Sequence, residues 1–369
     1  YLSCPKGWYH TSMKVFGRSA GRTLLLPALL PVLLLSLWAT RAAAVPGTVV
    51  ELNIEGPIGV ATADYVSDGI RHATDTGAEL VVINIDTPGG LVKPMRGIVQ
   101  DILASDVPVA VYVTPPGARA DSAGTYILLA AHIAAMAPTT HIGAATPVPL
   151  MGGGEPQDGE DEAAPPSAVD RKAMNDAIAY IRGLAERRGR NADWAELAVT
   201  EAATLTASEA LEQNVIEFVA EDRAELLGLL DGVEVETAGG TRELATTDVV
   251  VDEFEPNWRI RLLNVISNPE IVLILGLIGL YGLMYEGWNP GAIVPGVVGA
   301  ICLLLAAYAL QVIPVNYAGL ALIFIGVALI VAEVFAPSFG ALGIGGIAAF
   351  VFGAIIMFDT DIPGFGISV

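Results

Sequence analysis

Two hydrophobic patterns divide the chain near residue 256. Before it, short solid apolar runs alternate with segments of helical spacing; after it, long apolar runs dominate. Residues 49–54 form a β-type run ended by Gly56-Pro57, and residues 60–73 carry helical spacing. The continuous runs 79–85 (ELVVINI) and 107–113 have the character of buried strands, with a helical pattern over 91–103 between them. The next helix is expected to open at Ser122 and to run through the alanines and leucines that contain His132. Farther on, 170–188 sets Ala173, Ala177, Ile178, Ile181, Leu184 and Ala185 on one helical face, and 192–199 is a further helix. Thr206 begins another, with Glu209 at the capping-box position, and 216–219 is a short strand. Solid strands alternating with helices predict an α/β domain built on a parallel, helix-covered sheet.

Residues 231–256 read as a β-rich polar tether. The apolar runs 269–285, 292–315, 317–334 and 341–358 have spanning or near-spanning length and predict an α-helical, four-span membrane domain. This region repeats itself: Gly279, Glu286, Pro290, Gly296 and Gly299 recur, in order and spacing, as Gly326, Glu333, Pro337, Gly343 and Gly346. Two helical hairpins of related design are expected, with glycines that let the helices approach closely. Glu286 and Glu333 stand at the same span edge in both repeats and are expected to matter to the membrane domain, because a carboxylate there is costly unless it faces protein, water or a partner. Arg259 and Arg261 flank the first span on the side expected to lie outside, against the positive-inside tendency.

The apolar fraction of 53% agrees with a partly membrane-embedded chain. The net charge of −21 lies almost wholly before residue 256, which makes the α/β domain acidic, and no basic patch suited to nucleic acid is present. Cys4 and Cys302 support neither a disulfide framework nor a metal site, and without G-x-G-x-x-G no dinucleotide cofactor is expected. Lys14, Arg18 and Arg22 precede an apolar run at 24–38 that ends in Ala42-Ala43-Ala44, the pattern of an export signal. The expected division is therefore 1–44 upstream residues and signal peptide, 45–230 α/β domain outside the cytoplasm, 231–268 tether, and 269–360 membrane domain. Residues 361–369 are expected to begin a segment that continues past Val369. Residues 151–167 are Gly, Pro, Asp and Glu-rich and read as a solvated acidic loop.

The candidate chemistry centres on Ser122, in a small-residue corner with Ala120, Ala123 and Gly124 where a loop enters a helix. Small neighbours admit a substrate backbone, and a helix N-terminus offers free N–H groups to a developing anion. A plain N-cap serine is the alternative. Gly89-Gly90 follows a buried strand; the N–H groups there and at Ala123 can form an oxyanion hole, or the glycines can simply make a tight turn. After residue 44 only two lysines occur, Lys93 and Lys172. Lysine acts as a general base when burial lowers its pKa, which arginine does not do. Lys172 opens the helix with the apolar face, where a solvated lysine is equally open. His132 and His141 offer rival Ser–His chemistry; His132 is the better packing residue, and His141, in a Thr-Thr-His-Ile-Gly loop, the stronger rival.

DTPGG at 86–90, PPGARADSAGTYI at 115–127, AAMAPTTHIGAATPV at 134–148 and KAMNDAIAYIRGLAERRGRNADWAE at 172–196 together resemble the NfeD family of membrane-bound serine proteases, of the ClpP/crotonase superfamily and related to signal peptide peptidase A. LTASEALEQNVIEFVA at 205–220 is similar to the closing segment of that superfamily, with Asn214 where glycine is usual. The resemblance implies a ClpP/crotonase-like domain with a Ser–Lys dyad: Ser122 as nucleophile, Lys172 as base, Gly90 and Ala123 as oxyanion donors. It also implies a stomatin- or prohibitin-like membrane protein as substrate or partner, and a homodimer or higher homo-oligomer is expected. Two features depart from the family pattern. Asp121 stands where alanine is usual and would modulate a nearby Lys172 by holding it as ammonium, and the acidic loop is long. A membrane scaffold that binds stomatin-like proteins with little or no peptidase activity is the alternative function. A crotonase-like thioester enzyme is disfavoured by the export signal.

Overall fold

The computed structural model describes residues 47–147, 168–266, 268–289, 291, 293–310, 316–336 and 339–357. The expectations for the export signal, the acidic loop and the segment 361–369 fall outside these residues. The α/β region opens with β1 (Thr48–Glu55), α1 (Val60–Thr76), β2 (Leu80–Asp86), α2 (Val92–Ala104), β3 (Val109–Val113), β4 (Arg119–Asp121) and α3 (Ala123–Ala130). It continues with β5 (Ile133–Met136), β6 (His141–Gly143), α4 (Ala168–Arg187), α5 (Ala192–Thr200), β7 (Thr204–Thr206) and α6 (Ala207–Glu212). β8 (Phe218–Val219), α7 (Arg223–Leu230), β9 (Glu234–Thr237), β10 (Gly240–Glu243) and β11 (Val250–Glu253) complete it.

Six strands form one parallel sheet in the order β11-β1-β2-β3-β5-β8. Both faces are covered, which is why its strands read as solid apolar runs. Val50, Leu52, Val81, Ile83 and Val111 face a core shared with α1, α2 and α3. Val49, Leu80, Val82 and Tyr112 face Leu226, Leu227 and Leu230 of α7, together with Val235 and Leu244. Residues 231–256, expected as a β-rich polar tether, form a β9–β10 hairpin and β11; β11 adds to the edge of the main sheet beside β1, so the stretch is part of the α/β domain. A smaller sheet, β4-β6-β7, sits over the C-terminal ends of the main strands through a bridge from Thr87 to Ala120. Thr206 caps α6 with Glu209, whose carboxylate accepts from the Thr206 N–H at 2.9 Å.

One expectation is corrected. α3 stops at Ala130, so His132 lies at the entry to β5 and not within a helix. Every neighbour there is apolar, so a helix and a buried strand leave the same trace in the sequence. The break is imposed by β5 pairing with β3 and β8, a tertiary demand.

The C-terminal region consists of α8 (Trp258–Ile266), α9 (Pro269–Trp288), α10 (Ile293–Ala309), α11 (Tyr317–Phe335) and α12 (Ala341–Met357). α9 is long and apolar enough to cross a membrane; α10 and α12, at 17 residues each, lie at the lower limit of spanning length. α9 packs on α10 and α11 on α12, and the repeated glycines make equivalent contacts in each pair. A Cβ at Gly299 would lie 2.8 Å from the Gly279 carbonyl oxygen, and one at Gly346 would lie 2.7 Å from that of Gly326. The repeated glutamates also correspond. The Glu333 carboxylate accepts from the N–H groups of Gly340, Leu342 and Gly343 at 2.9, 3.1 and 3.3 Å, capping α12, and the Glu286 carboxylate lies against Gly296 in the first turn of α10. Each acid thus meets the positive end of the helix that follows. Glu333→Leu leaves those N–H groups without this acceptor and is expected to cost about 1–3 kcal/mol. The loss is read as a lower unfolding midpoint in detergent, with Glu333→Gln less affected; an unchanged midpoint for Glu333→Leu would remove the capping role.

Candidate active site

β4 runs parallel to β6, and at its end the chain turns sharply into α3. Ser122 occupies that turn with φ 50° and ψ −110°, a left-handed conformation that a serine holds only when its surroundings fix it. They do so on both sides. The Ser122 N–H donates to the Gly143 carbonyl at 2.9 Å, and the Asp121 N–H to that of Thr87 at 3.1 Å. Inside the corner, the buried Thr125 hydroxyl lies 2.9 Å from the Ala120 oxygen and 2.8 Å from that of Gly143. Ser122 stands at the N-cap position of α3, yet its side chain makes no cap hydrogen bond. The plain N-cap reading therefore lacks its defining contact.

Opposite Ser122 lies the loop after β2. The Thr87 hydroxyl accepts from the Gly89 N–H at 3.1 Å, and Ile58 bonds to the Gly89 oxygen and the Leu91 N–H at 2.8 and 2.9 Å. These contacts hold Gly90 from both sides. A Cβ on Gly90 would run into the backbone of Ile58, so only glycine permits this approach. Neither the Gly90 N–H nor the Ala123 N–H donates to any described residue, and both residues border the same cavity as Ser122. The cavity holds about 130 Å³. The next residue, Leu91, packs against a cluster of Val272, Ala306, Ala309 and Met357 from the C-terminal helices. The glycine turn thus rests directly on that region.

The far wall of the cavity is α4, through Ala173, Asp176, Ala177 and Tyr180. Lys172 is the fifth residue of α4, next to Ala173 of this wall, and is exposed; it does not line the cavity. Lys93, on the first turn of α2, is exposed as well. Asp121 has partners other than a lysine. Its carboxylate lies 3.5 Å from His141 Nε2 and 3.6 Å from Arg119 Nη1, on the small sheet and outside the cavity lining. Burial raises its pKa, His141 and Arg119 oppose that shift, and Asp86 adds to it. His132 accepts from the Val109 N–H at Nδ1 (3.2 Å), and burial, together with Arg188, Arg190 and Arg187, pushes its pKa down to about 3. A neutral structural histidine results. Among the described residues no group of three His, Cys, Asp or Glu side chains is placed to hold a metal ion.

The family model described as the NfeD1b N-terminal domain matches residues 48–238, and that of the NfeD integral membrane domain matches 270–369. The membrane-bound protease PH1510 of Pyrococcus horikoshii is 39% identical over 308 residues, covering 83% of this chain and 68% of that protein. The chain belongs to the NfeD family. Membrane protein NfeD1b of Bacillus subtilis is 31% identical over 330 residues, covering 88% of this chain and 71% of the relative. Among solved structures, a lysine-to-alanine variant of the 1510-N membrane-bound stomatin-specific protease, in complex with a substrate peptide, aligns with TM-score 0.52 at 41% identity. The alignment covers 59% of this chain and 97% of that one. A serine-to-alanine variant of the same protease aligns with TM-score 0.52 over 57% of this chain and 99% of its own. As an NfeD-family member the chain is a membrane protein, with a parallel-sheet α/β domain followed by apolar helices.

Two sets of residues at the site of this NfeD-family chain escape sequence reasoning. The first is the aromatic wall. Tyr126 and Tyr180 stack at 5.9 Å, and the Arg96 guanidinium lies 4.5 Å over Tyr180 while pairing with Asp176. Only the position of Tyr126 one turn after Ser122, and of Tyr180 on the Ala173–Ala177 face, pointed there. The second is the arginine pair at the end of α3. Arg190, buried, donates to the carbonyls of Leu128 and Leu129 at 3.0 and 2.9 Å and pairs with both Glu217 carboxylate oxygens at 2.7 Å. Arg188 donates to Ala130 at 3.1 Å. Their charges meet the negative end of the helix whose positive end faces the cavity.

Arg190→Leu removes one partner of a largely buried pair and is expected to cost about 3–5 kcal/mol, measured by denaturant unfolding of the α/β domain; a loss under about 1 kcal/mol would place the pair among weak surface bridges. The histidine gives a pH prediction. Between about pH 6.5, where a free imidazole titrates, and about 3, the unfolded chain binds a proton at His132 and the folded chain does not. His132 therefore withdraws stability as pH falls through this window. His132→Gln, which does not titrate and retains an acceptor, is expected to move the acid-unfolding midpoint to lower pH, followed by circular dichroism. A midpoint that stays or rises contradicts this.

Proposed function

We propose that this chain is a membrane-anchored serine endopeptidase that cleaves apolar segments of a stomatin- or prohibitin-like membrane protein, with Ser122 as nucleophile and Lys172 as its base. The observation that carries the reading is the corner itself: a serine fixed at φ 50° with an uncommitted hydroxyl, bordering one cavity with the unbonded N–H groups of Gly90 and Ala123. The names of the relatives support the peptidase class and the stomatin link, and the pair of serine and lysine variants among the similar structures supports attention to those two residue types. On this reading the α/β domain is of ClpP/crotonase type and extracytoplasmic, α9–α12 cross the membrane, and the chain acts as a homo-oligomer.

Neutral Lys172 takes the proton of the Ser122 hydroxyl as its oxygen attacks the scissile carbonyl carbon. Negative charge builds on the carbonyl oxygen, which the Gly90 and Ala123 N–H groups and the N-terminus of α3 stabilise. Collapse expels the amine with the proton that Lys172 carried, and water then cleaves the acyl-enzyme. Lys172 is exposed in the unliganded chain. On this reading a bound peptide must shield this side chain from water.

A second reading rests on His141, which pairs with Asp121, the residue before Ser122; a histidine held by a carboxylate is the base of a Ser–His–Asp enzyme. A binding scaffold without cleavage is a third. Labelling of the full chain in detergent with a serine-directed fluorophosphonate probe separates them. Ser122→Ala and Lys172→Ala are each expected to abolish acylation, without adding when combined, whereas Lys93→Ala keeps most of it. Wild-type labelling in Lys172→Ala together with loss in His141→Ala would replace the dyad with the histidine mechanism. Absence of labelling in wild type, with retained binding of a stomatin-like protein, would leave the scaffold.

A further inference from the structure

α8 joins the α/β domain to the first apolar helix and presents three distinct faces. Ile260 is buried in the main core, where Leu263 packs beside it, and Ile266 is buried as well. The helix lies against α1 on one side and against α9 and α10 on the other. On its outer side Trp258, Leu262 and Val265 stand 70%, 44% and 55% exposed. Their spacing of four and three residues sets them in one narrow stripe of the helix. A soluble domain gains nothing from an exposed tryptophan, leucine and valine in line. Here the stripe ends only a few residues before α9, the helix long enough to cross the membrane.

We propose that α8 is an interfacial helix, with Trp258, Leu262 and Val265 seated at the headgroup and upper acyl-chain level of the bilayer. The flanking charges fit this placement. The Arg259 guanidinium lies 5.6 Å from the Trp258 ring centre, so the pair presents an aromatic body and a cationic tip on one edge of the stripe, the chemistry enriched at membrane interfaces. Arg261, on the other edge, donates to the Pro256 carbonyl and pairs with Glu255 at 2.5 Å, which settles that rim among polar groups. The position of Arg259 beside the first span, against the positive-inside tendency, follows if it meets lipid phosphates, while Arg261 is occupied by Glu255. Because Ile260 is fixed in the core of the α/β domain, a seated α8 holds that domain at one height over the lipid. The glycine turn, which touches the helix cluster through Leu91, is then held beside the membrane surface. This inference depends on the membrane location of the chain and not on the proposed serine chemistry.

The test uses the full chain, with Cys4→Ser and Cys302→Ala, in phosphatidylcholine nanodiscs holding one copy each. Nitroxide labels are placed singly through Leu262→Cys, Val265→Cys and Asn264→Cys, all exposed positions, so that no packed side chain is replaced. Collisions with oxygen, which concentrates in lipid, are compared with collisions with a water-soluble nickel complex. The expected result is oxygen exceeding nickel at 262 and 265 and the reverse at 264. Nickel exceeding oxygen at all three positions would put the stripe in water and overturn the proposal. Exclusion of both reagents at 262 and 265 would mean that protein covers the stripe, and would overturn it equally.

Discussion

α3 is eight residues long, too short to persist by itself, and every one of its residues is buried. Its direction is set from outside. At one end Arg190 joins the last carbonyls to Glu217, which in turn accepts from the Ala134 N–H of β5 at 2.7 Å and so ties the helix to the main sheet. At the other end Thr125 and the Ser122 N–H hold the turn against Ala120 and Gly143. A left-handed serine costs of order 1–3 kcal/mol, a strain that persists only because both ends are pinned. Loss of the Arg190 bridge would leave α3 pinned chiefly at its Ser122 end.

The membrane-facing half depends on a different constraint, the approach of two backbones. Gly279 meets Gly299, and Gly326 meets Gly346, at distances that exclude any side chain. In lipid there is little hydrophobic drive to bring helices together, so close van der Waals contact and capped ends must do it. The same two glutamates close both hairpins, Glu333 by three N–H contacts and Glu286 by lying on the first turn of α10. The repeat in sequence is therefore a repeat of contacts. The cluster of Val272, Ala306, Ala309 and Met357 draws from both hairpins, and Leu91 is seated on it. Gly90 is thus the chain neighbour of the residue seated on the apolar helices.

Much of the architecture was legible because it is carried by local pattern. Strands buried on both faces give solid runs, a helix buried on one side gives the Ala177–Ile181–Leu184 stripe, and the glycine repeat advertises the hairpins. The corner at Ser122 and the turn at Gly90 were legible for a related reason: small residues gather where a loop enters a helix and where two backbones come close. What escaped is set by register and by distant chain. Nothing in the sequence says that β4 pairs with β6 so that Arg119 stands opposite His141, and therefore that Asp121 finds His141 and not a lysine. His132 was misplaced because an all-apolar stretch has no period to read. Arg190 looked like one more surface arginine, since the carbonyls it caps lie about sixty residues earlier in the chain.

The placement of Lys172 bears on how the proposed enzyme would be held in check. A lysine takes a proton from a serine only as the neutral amine, a form that loss of surrounding water favours. On the proposed mechanism the base therefore works best when something apolar covers the exposed Lys172 side chain. The wall beside it is suited to that cover: Ala173 and Ala177 are small, and Tyr126 and Tyr180 close the cavity with a flat aromatic surface. A polar, hydrated peptide would bring water with it and leave the side chain solvated. An apolar segment would remove the water and switch the base on. Selectivity and activation would then be the same event, and an acidic domain bordering a membrane would remain inert toward soluble chains until an apolar stretch emerging from the bilayer reached the cavity.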